Sequence, residues 1–415
     1  MKTTVGVVTW NASGLLDTIT ETLRGLMEHC RVCISDNAST DGTADLLEER
    51  LPEALVLRNP VNGGFGYGCN RIIETCSTDY LLFLNADASM TPDDLSVLEE
   101  HLCDSETAGV QPVLRLWGWP MVTLSAGCSM NEFGYGYDMD FMHFQPEPGK
   151  ATTEVPCITA AASLWKTGVL KKVGGFDEAI FMYFEDVDLS LRVLATGMKL
   201  KLVADARGMH MVGVSSSRSR AELWELRSAA YLVRKYLDGE SRRLPWYWIR
   251  KELGSMLVGA IAGKNPLGRL GALLTAPVPV EHVKIPEETL AWVTSPRPMR
   301  MPRPRPPVPV SLPGCTGPVL PGPGWTSSGS TGPWGFGCLK VPGEGGELKL
   351  RIRQGGSSGS LALWSNGGIV GRRFVGPGKE VTFEAEIPPG DGRLYVVPDR
   401  ASQVVKLEHA DFETP

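Results

Sequence analysis

The sequence predicts an α/β domain at the N-terminus, followed by a helical extension, a proline-rich linker and a C-terminal antiparallel β-sandwich. Three observations favour this organisation. Short apolar runs alternate with segments of helical periodicity in the first part of the chain. Prolines then crowd residues 286–323, and strand-like segments separated by Gly, Pro, Asn and Asp turns follow them. The predicted boundaries are 1–240, 241–280, 281–323 and 324–415.

The N-terminal elements follow from hydrophobic periodicity. Buried strands are predicted at residues 4–9, 31–35, 54–59 and 80–84. Helices are predicted between them at residues 15–30, 43–50 and 67–76. Because these strands are apolar on both faces and alternate with helices, they indicate a parallel sheet covered by helices.

The later elements are of two kinds. Helices are predicted at residues 222–236 and 245–262. The stretch 286–323 is expected to sustain neither a helix nor a central strand, because proline lacks the backbone donor that both need. Strands of the sandwich are predicted at residues 347–353, 360–364, 380–387 and 393–397.

Composition excludes some classes of protein. The 415 residues include 41 Lys and Arg against 47 Asp and Glu, a formal net charge of −6. This balance argues against general nucleic-acid binding, which needs an excess of cations. The N-terminus shows no secretory signal and no uncharged run is long enough to span a bilayer, so a cytoplasmic protein is expected. The nine cysteines, including the Cys30/Cys33 pair, are expected to be reduced thiols.

Two polar loops at predicted strand ends are candidates for ligand binding. The run from Ser35 to Thr43 places Asp36 and Asn37 directly after a strand, where open parallel sheets bind ligands. Asp36 could accept the imide N–H of a pyrimidine, although turn and capping roles explain the same residues. The run from Asn62 to Asn70 has four glycines that permit close backbone approach to a ligand, or it is a flexible loop.

Three further features carry acids or a histidine. Asp87 follows a buried strand with Asn85 two residues before it, which suits a divalent cation; Thr91 suffices as the cap of the next helix. Glu185 and Asp186 lie beside aromatic residues at the start of a predicted helix. Two interpretations are open: the adjacent carboxylates raise each other's pKa towards that of a general base, or they form a solvated first turn of the helix. His210, alone after a predicted strand, is a structural residue or a ligand.

Taken together, these stretches resemble the inverting family 2 glycosyltransferases of GT-A fold, and among them bacterial rhamnosyltransferase-like members that build surface polysaccharides. The resemblance covers roughly residues 1–240. It rests on VVTWN at residues 7–11, SDNASTDGT at 35–43, NGGFGYGCN at 62–70, LLFLNADA at 81–88, VGGFDEAIFMYFEDVDLSLR at 173–192 and HMVGVSSS at 210–217. RSAAYLVRKY at 227–236 resembles the helix that follows the catalytic region in that family.

The resemblance implies roles residue by residue. The nucleotide would be bound by Thr9, Asn11, Asp36, Asn37, Gly64, Asn70 and Asn85, with Asp36 on the base. Asp87 would hold Mg²⁺ or Mn²⁺ against the two phosphates, with His210 beside them. Asp186 would be the base that deprotonates the acceptor hydroxyl, and Glu185 would contact acceptor or donor sugar. Many relatives carry Asp where this chain has Asn85, whose amide oxygen remains a metal ligand.

The implied reaction is transfer of rhamnose or another hexose, with inversion, from a UDP-, dTDP- or GDP-linked donor to a glycan or lipid-linked acceptor. A nucleotidyltransferase and a catalytically degenerate glycan-binding protein are the alternatives. Peripheral membrane contact is one explanation of the basic, aromatic segment 218–251, and a helix packed on the catalytic domain is the other. Two interpretations are open for three tryptophans of the sandwich, Trp325, Trp334 and Trp364: they bind sugar, or they form core or dimer contacts. A homo-oligomer is therefore possible.

Overall fold

The computed structural model describes most of the chain. The described residues are 1–145, 151–211, 218–237, 248–250, 252–254, 256, 266–280, 283–294, 315, 319–323, 325, 331, 336–355, 359–365, 368–398 and 404–414. The chain divides into two compact units, residues 1–141 with 148–299, and residues 142–147 with 300–415. The predicted boundaries after residues 240, 280 and 323 stay predictions.

The first unit is built on a mixed β-sheet. The strands up to residue 144 are β1 Thr3–Thr9, β2 Arg31–Asp36, β3 Leu55–Arg58, β4 Tyr80–Leu84, β5 Ala88–Met90, β6 Thr107–Leu116, β7 Trp119–Ser125, β8 Cys128–Met130, β9 Gly136–Asp138 and, within the second unit, β10 His143–Phe144. Then follow β11 Thr153–Glu154, β12 Ala162–Lys166 and β13 Lys199–His210. Strands β8 and β9 form a separate two-stranded sheet. Strands β3, β2, β1 and β4 lie in this order and are parallel, as predicted. Strand β12 then pairs antiparallel with both β4 and β6, which sequence alone did not indicate.

Helices cover this sheet, and the first three lie where periodicity predicted helices. They are α1 Leu16–Met27, α2 Thr43–Arg50, α3 Phe65–Thr75, α4 Pro92–Leu102, α5 Thr167–Lys172 and α6 Glu185–Leu194. In α1 the apolar residues at helical spacing form the buried face of the helix: Leu16, Ile19, Leu23 and Leu26. Thr91 caps α4, since its side chain accepts the N–H of Asp94 at 3.1 Å.

The C-terminal part of the first unit is helical. Helix α7 spans Arg218–Leu232 and continues into a π-helical turn, Val233–Leu237; α8 spans Pro266–Leu274 and α9 spans Glu287–Thr294. The expectation that residues 286–323 hold no helix is wrong for α9. That segment is free of proline between Pro286 and Pro296, and the N–H of Leu290 donates to the carbonyl of Pro286 at 2.9 Å.

Trp248 bears on the predicted membrane contact. Its side chain is fully buried, packs in a cluster with Leu226 and Val233, and donates its indole N–H to the carbonyl of Phe133 at 3.0 Å. Trp248 is therefore a core residue, which favours helix packing for this part of the basic, aromatic segment. Residues 238–247, including Trp246 and Tyr247, and most of the predicted helix 245–262 lie outside the described residues.

The second unit is an antiparallel β-sandwich. After β14 Leu320–Pro321 its strands are β15 Gly337–Lys340, β16 Gly346–Gly355, β17 Gly359–Ser365, β18 Gly368–Val375, β19 Glu380–Ile387, β20 Arg393–Pro398 and β21 Val404–Glu413. They form one sheet ordered β14-β15-β20-β17-β18 and another ordered β19-β16-β21, and both contribute to one apolar core. The predicted sandwich is confirmed.

Burial decides the role of one tryptophan in this sandwich. Trp325 is fully buried, and its indole N–H donates to the carbonyl of Cys338 at 2.7 Å. It is a core residue and offers no face to a sugar, so the sugar-binding interpretation of Trp325 is wrong. Trp364 is half-buried, whereas Trp334 and most of the linker lie outside the described residues.

Two further sequence expectations meet the structure here. All nine cysteines are free, and burial raises the pKa of the Cys30 thiol to about 12 and that of Cys33 to about 11. Burial therefore disfavours the thiolate, which is the reactive form, in both residues of the Cys30/Cys33 pair. Within the described ranges, no helix is both long enough and apolar enough to cross a membrane.

Candidate active site

The candidate site begins at the edge where the parallel strands end. Thr9 and Asp36 are paired as the last residues of β1 and β2, and the hydroxyl of Thr9 donates to Asp36 Oδ1 at 2.9 Å. Strand β4 ends at Leu84, so Asn85 and Asp87 follow at the same edge. Parallel strands whose carboxyl ends meet in this way form the ligand-binding edge of open α/β sheets.

The loop after β2 is organised by Asp36. This carboxylate is 2% exposed and accepts both the N–H and the hydroxyl of Ser39, at 2.9 and 2.6 Å. Asn11, on the loop that faces it, is exposed and has a left-handed backbone conformation with φ 46°. Its amide oxygen accepts the N–H of Thr40 at 2.9 Å. Asp36 therefore holds the conformation of the loop after β2. Its contact with a base stays a prediction.

The glycine-rich loop is tied to the segment before α6. Gly64 has φ 96°, and a Cβ there would lie 2.2 Å from the carbonyl oxygen of Phe181. The N–H of Phe65 donates to that same oxygen at 3.0 Å, and Asn37 donates its side-chain N–H to the carbonyl of Gly64 at 2.9 Å. Glycine is required because only it combines this dihedral angle with this approach.

Asn70 is engaged in a structural contact. Its amide accepts the N–H of Phe176 at 2.8 Å and donates to the carbonyl of Phe176 at 3.0 Å and to Glu178 at 2.8 Å. These bonds brace the turn at residues 174–178. The nucleotide contacts predicted for Asn37, Gly64 and Asn70 stay predictions, since the structure gives all three residues internal hydrogen bonds.

Asn85, Asp87 and His210 come together although 123 residues separate Asp87 from His210. His210 ends β13 and pairs with Ala88 of β5, which brings its Nε2 to 3.1 Å from Asp87 Oδ1. Asp87 is 4% exposed, and the side-chain Nδ2 of Asn85 lies 3.5 Å from the same His210 nitrogen. The buried Oδ1 of Asn85 has no hydrogen-bond partner among the described residues.

This donor set fits a hard divalent cation. A carboxylate, an amide oxygen and an imidazole leave several coordination positions for phosphate oxygens and water, which is the way Mg²⁺ and Mn²⁺ bind in proteins. The unpartnered oxygen of Asn85 is the kind of atom that a cation would satisfy. In the described part of the chain, no three His, Cys, Asp or Glu side chains are placed to hold a metal ion together, so the set depends on the Asn85 amide.

The acids at the start of α6 are the second group of candidate residues. Glu185 and Asp186 open this helix after Tyr183 and Phe184, which have φ 67° and 68°. Bulky residues with positive φ are rare and occur at strained functional segments. Asp186 Oδ2 accepts the N–H of Ala160 at 3.2 Å, and burial raises the pKa of Asp186 above its ordinary range.

Glu185 is the more strongly perturbed of the two acids. Its side chain is 7% exposed, and its Oε2 has no hydrogen-bond partner among the described residues. Burial, with the charge of Asp186 as the second cause, raises the pKa of Glu185 to about 8. The carboxyl group is therefore mostly protonated at neutral pH and can donate a hydrogen bond.

Asp138 is a site residue that sequence reasoning missed. It ends β9, where the Cys128 thiol lies 3.5 Å from its Oδ1. Asp138 is exposed at one side, but the surrounding protein removes water from its carboxyl group. This desolvation, together with the negative charge of Asp186, raises the pKa of Asp138 to about 6. His210 acts in the opposite direction. Asp138 thus lies within electrostatic reach of both Asp186 and His210, and no motif marks it in the sequence.

Comparisons with known proteins find similarity to glycosyltransferases. The family model described as Glycosyl transferase family 2 matches residues 4–142. The N-acetylglucosaminyl-diphospho-decaprenol L-rhamnosyltransferase of Mycobacterium tuberculosis strain H37Rv is 25% identical over 264 residues, 57% of this chain and 82% of that protein. Rhamnosyltransferase WbbL of Escherichia coli strain K12 is 27% identical over 236 residues, 52% of this chain and 86% of that protein.

A solved structure shows a weaker likeness. The mannosyltransferase PcManGT from Pyrobaculum calidifontis, in complex with GDP-Man and Mn²⁺, aligns with 16% identity and a TM-score of 0.43, over 71% of this chain and 83% of that chain. The family match covers the strands and loops that carry Thr9, Asp36, Asp87 and Asp138. Helix α6 and His210 lie C-terminal to it.

Proposed function

We propose that this chain is a member of glycosyltransferase family 2 with a GT-A catalytic domain, and that it transfers rhamnose or another hexose from a nucleotide-diphosphate donor. The transfer would proceed with inversion to a hydroxyl group of a glycan or lipid-linked acceptor in surface polysaccharide assembly. The observation that carries the proposal is the contact between Asp87 Oδ1 and His210 Nε2, 3.1 Å apart. Electrostatic interactions of Asp138 with both His210 and Asp186 connect this pair to the acids of α6. A rhamnosyl donor is favoured because two relatives are rhamnosyltransferases.

The metal requirement is part of this proposal. Asp87, His210 and the amide oxygen of Asn85 would hold Mg²⁺ or Mn²⁺. When bound, the cation would neutralise charge on the departing nucleotide diphosphate. The nucleotide would occupy the edge formed by Thr9, Asn11 and the Asp36 loop.

The acids of α6 would perform the proton chemistry. Asp186 would take the proton of the acceptor hydroxyl while the acceptor oxygen bonds to the anomeric carbon and the nucleotide diphosphate leaves from the opposite face. Burial raises the pKa of Asp186, which makes it a stronger base than a solvated aspartate. Protonated Glu185 would donate a hydrogen bond to a sugar oxygen and so orient the ring. One displacement at one carbon inverts its configuration.

The experiment is a donor panel. We expect the purified protein to consume one of the UDP-, dTDP- and GDP-sugars with Mn²⁺ or Mg²⁺ present, and EDTA to abolish turnover. Asp87→Ala should lose turnover, whereas Asp93→Ala, which removes an exposed acid from α4, should retain it. Binding of a donor without turnover would instead indicate a degenerate binding protein. Incorporation of a nucleotide rather than a sugar would indicate a nucleotidyltransferase.

A further inference from the structure

Four charged side chains form a largely buried cluster at α6, and the sequence analysis assigned none of them a role. This buried charge cluster consists of Asp177, Asp188, Arg192 and Lys235. Lys235 Nζ lies 2.6 Å from Asp188 Oδ1 and 2.6 Å from Asp177 Oδ2, and Arg192 Nε lies 2.8 Å from Asp188 Oδ2. Two carboxylates and two cations leave the cluster neutral.

Asp188 depends on these partners more than the other members do. Its side chain is fully buried in the first turn of α6, two residues after Asp186. Besides the two cations, the hydroxyl of Tyr236 donates to Asp188 Oδ1 at 2.7 Å. A buried carboxylate is tolerated only when it is paired and hydrogen-bonded, and removal of one partner is strongly destabilising. The first turn of α6 is therefore held by contacts that reach it from outside.

Lys235 connects that turn to a second segment of the site. It is 5% exposed and belongs to the π-helical turn after α7, a rare conformation that is frequent at functional sites. Its other partner, Asp177, lies in the turn braced by Asn70 and also accepts the hydroxyl of Tyr231 at 2.6 Å. The ammonium group thus ties the 174–178 turn to the helix that presents Asp186.

We propose that Lys235 is a positioning residue for the transfer reaction, which holds the first turn of α6 and thereby places Asp186 and Glu185 at the acceptor. The inference rests on the proposed function. Lys235 acts through Asp188, whose negative charge it offsets, and its two ion-pair partners are Asp188 and Asp177.

The pH dependence of activity is a readout that a purely structural role of Lys235 would not change. The negative charge of Asp188 acts to raise the pKa of Glu185. Among the described residues, the other ionisable groups that interact with Asp186 or Glu185 are Asp138 of β9 and the thiols of Cys69 and Cys128, and His210 of β13 interacts with Asp138. If Lys235 loses its charge, Asp188 is offset by Arg192 alone. The uncompensated charge of Asp188 should then raise the pKa of Asp186, two residues away on the same turn. Because Asp186 must be ionised to act as the base, the acid limb of the pH profile should move to higher pH.

The test compares Lys235→Met, Lys235→Arg and Lys199→Met. Lys199 is a matched control because it also pairs with two carboxylates, at 2.9 and 3.1 Å, but its side chain is 41% exposed. We expect Lys235→Met to lower kcat about 10²-fold, the effect of a small misplacement of reacting groups, without changing donor affinity. The acid limb of kcat/KM should shift upward by about one pH unit. Lys235→Arg should restore most of the activity, and Lys199→Met should match the wild-type protein.

A double variant guards against misfolding. Lys235→Met with Asp188→Asn removes both charges together, so it should fold where the single variant fails and should return the acid limb towards the wild-type position. An unchanged kcat and limb in Lys235→Met would overturn the proposal. The proposal would also be overturned if kcat fell while the acid limb stayed in place, or if Lys235→Arg did not restore activity. Either result would mean that Lys235 has a structural role alone.

A second measurement separates this inference from the proposed function. If the wild-type protein turns over no donor, the proposed function fails, and hydrogen exchange of residues 185–190 decides the positioning claim. Faster exchange there in Lys235→Met than in Lys199→Met would support it. Equal exchange in the two variants would overturn it.

Discussion

Glu185 offers a quantitative test of the site's electrostatics without any substrate. Its carboxyl group is 7% exposed, one of its oxygens lacks a hydrogen-bond partner among the described residues, and burial raises its pKa from 4.5 to about 8. The folded protein therefore binds this proton more tightly than the unfolded chain does. The associated stability is fully present below pH 4.5 and is lost as pH rises to about 8.

The size of the effect follows from the two pKa values. The difference between 4.5 and about 8 corresponds to an upper limit of roughly 5 kcal/mol. Relaxation around the charged form and its interaction with Asp186 reduce this figure, so we expect about 2–4 kcal/mol. Glu185→Gln carries no proton that titrates in this range. The free energy of unfolding of this variant should thus decline less between pH 5 and pH 8.

The assay is urea unfolding of the wild-type protein and Glu185→Gln at several pH values, followed by tryptophan fluorescence. Glu49→Gln serves as the control, because Glu49 is exposed on α2. Taking the difference between variant and wild type at each pH cancels the contribution of the β-sandwich. A difference that does not change between pH 5 and pH 8 would refute the reasoning, since it would mean that Glu185 ionises as a solvated carboxyl does.

Three further predictions follow from single contacts. Gly64→Ala should destabilise the first unit by at least about 2 kcal/mol in urea unfolding, because the new Cβ meets the Phe181 carbonyl at 2.2 Å with φ at 96°; equal stability would contradict the described loop. Asp186→Asn should lower kcat about 10²–10⁴-fold with donor affinity retained in calorimetry; near-normal turnover would remove Asp186 as the base. Trp325→Ala should cost the sandwich about 3–5 kcal/mol in thermal unfolding, and a smaller loss would argue against its core position.

The strands and loops of the N-terminal half could be predicted from sequence because their signals are local. The buried run Tyr80–Leu84 and the helix Thr43–Arg50 have the predicted bounds, and Thr91 caps α4 as expected. Each is decided by residues within one turn or one strand. The pairing of β12 between β4 and β6 depends instead on contacts far apart in sequence, so periodicity could not indicate it.

The candidate site was predictable only where the residue type itself carries chemistry. Asp87 and His210 were selected as separate candidates, and the antiparallel pairing of β5 with β13 brings them together. Asp138 and Lys235 were missed because an isolated Asp and a Lys in a basic stretch are ordinary surface residues. Only the fold places Asp138 near Asp186 and buries Lys235 between two carboxylates. The i,i+4 spacing of Asp188 and Arg192 was the one local signal available for that cluster.

The most direct test of the account is transfer from dTDP-rhamnose, with Mn²⁺ or Mg²⁺, to a lipid-linked sugar diphosphate, with the product's anomeric configuration read by NMR. We predict acceptor-dependent release of dTDP and a glycosidic bond of configuration opposite to that in the donor. If dTDP-rhamnose is not consumed, the same NMR measurement of product configuration applies to whichever donor of the panel is consumed. Retained configuration, or no transfer from any nucleotide sugar, would contradict the account.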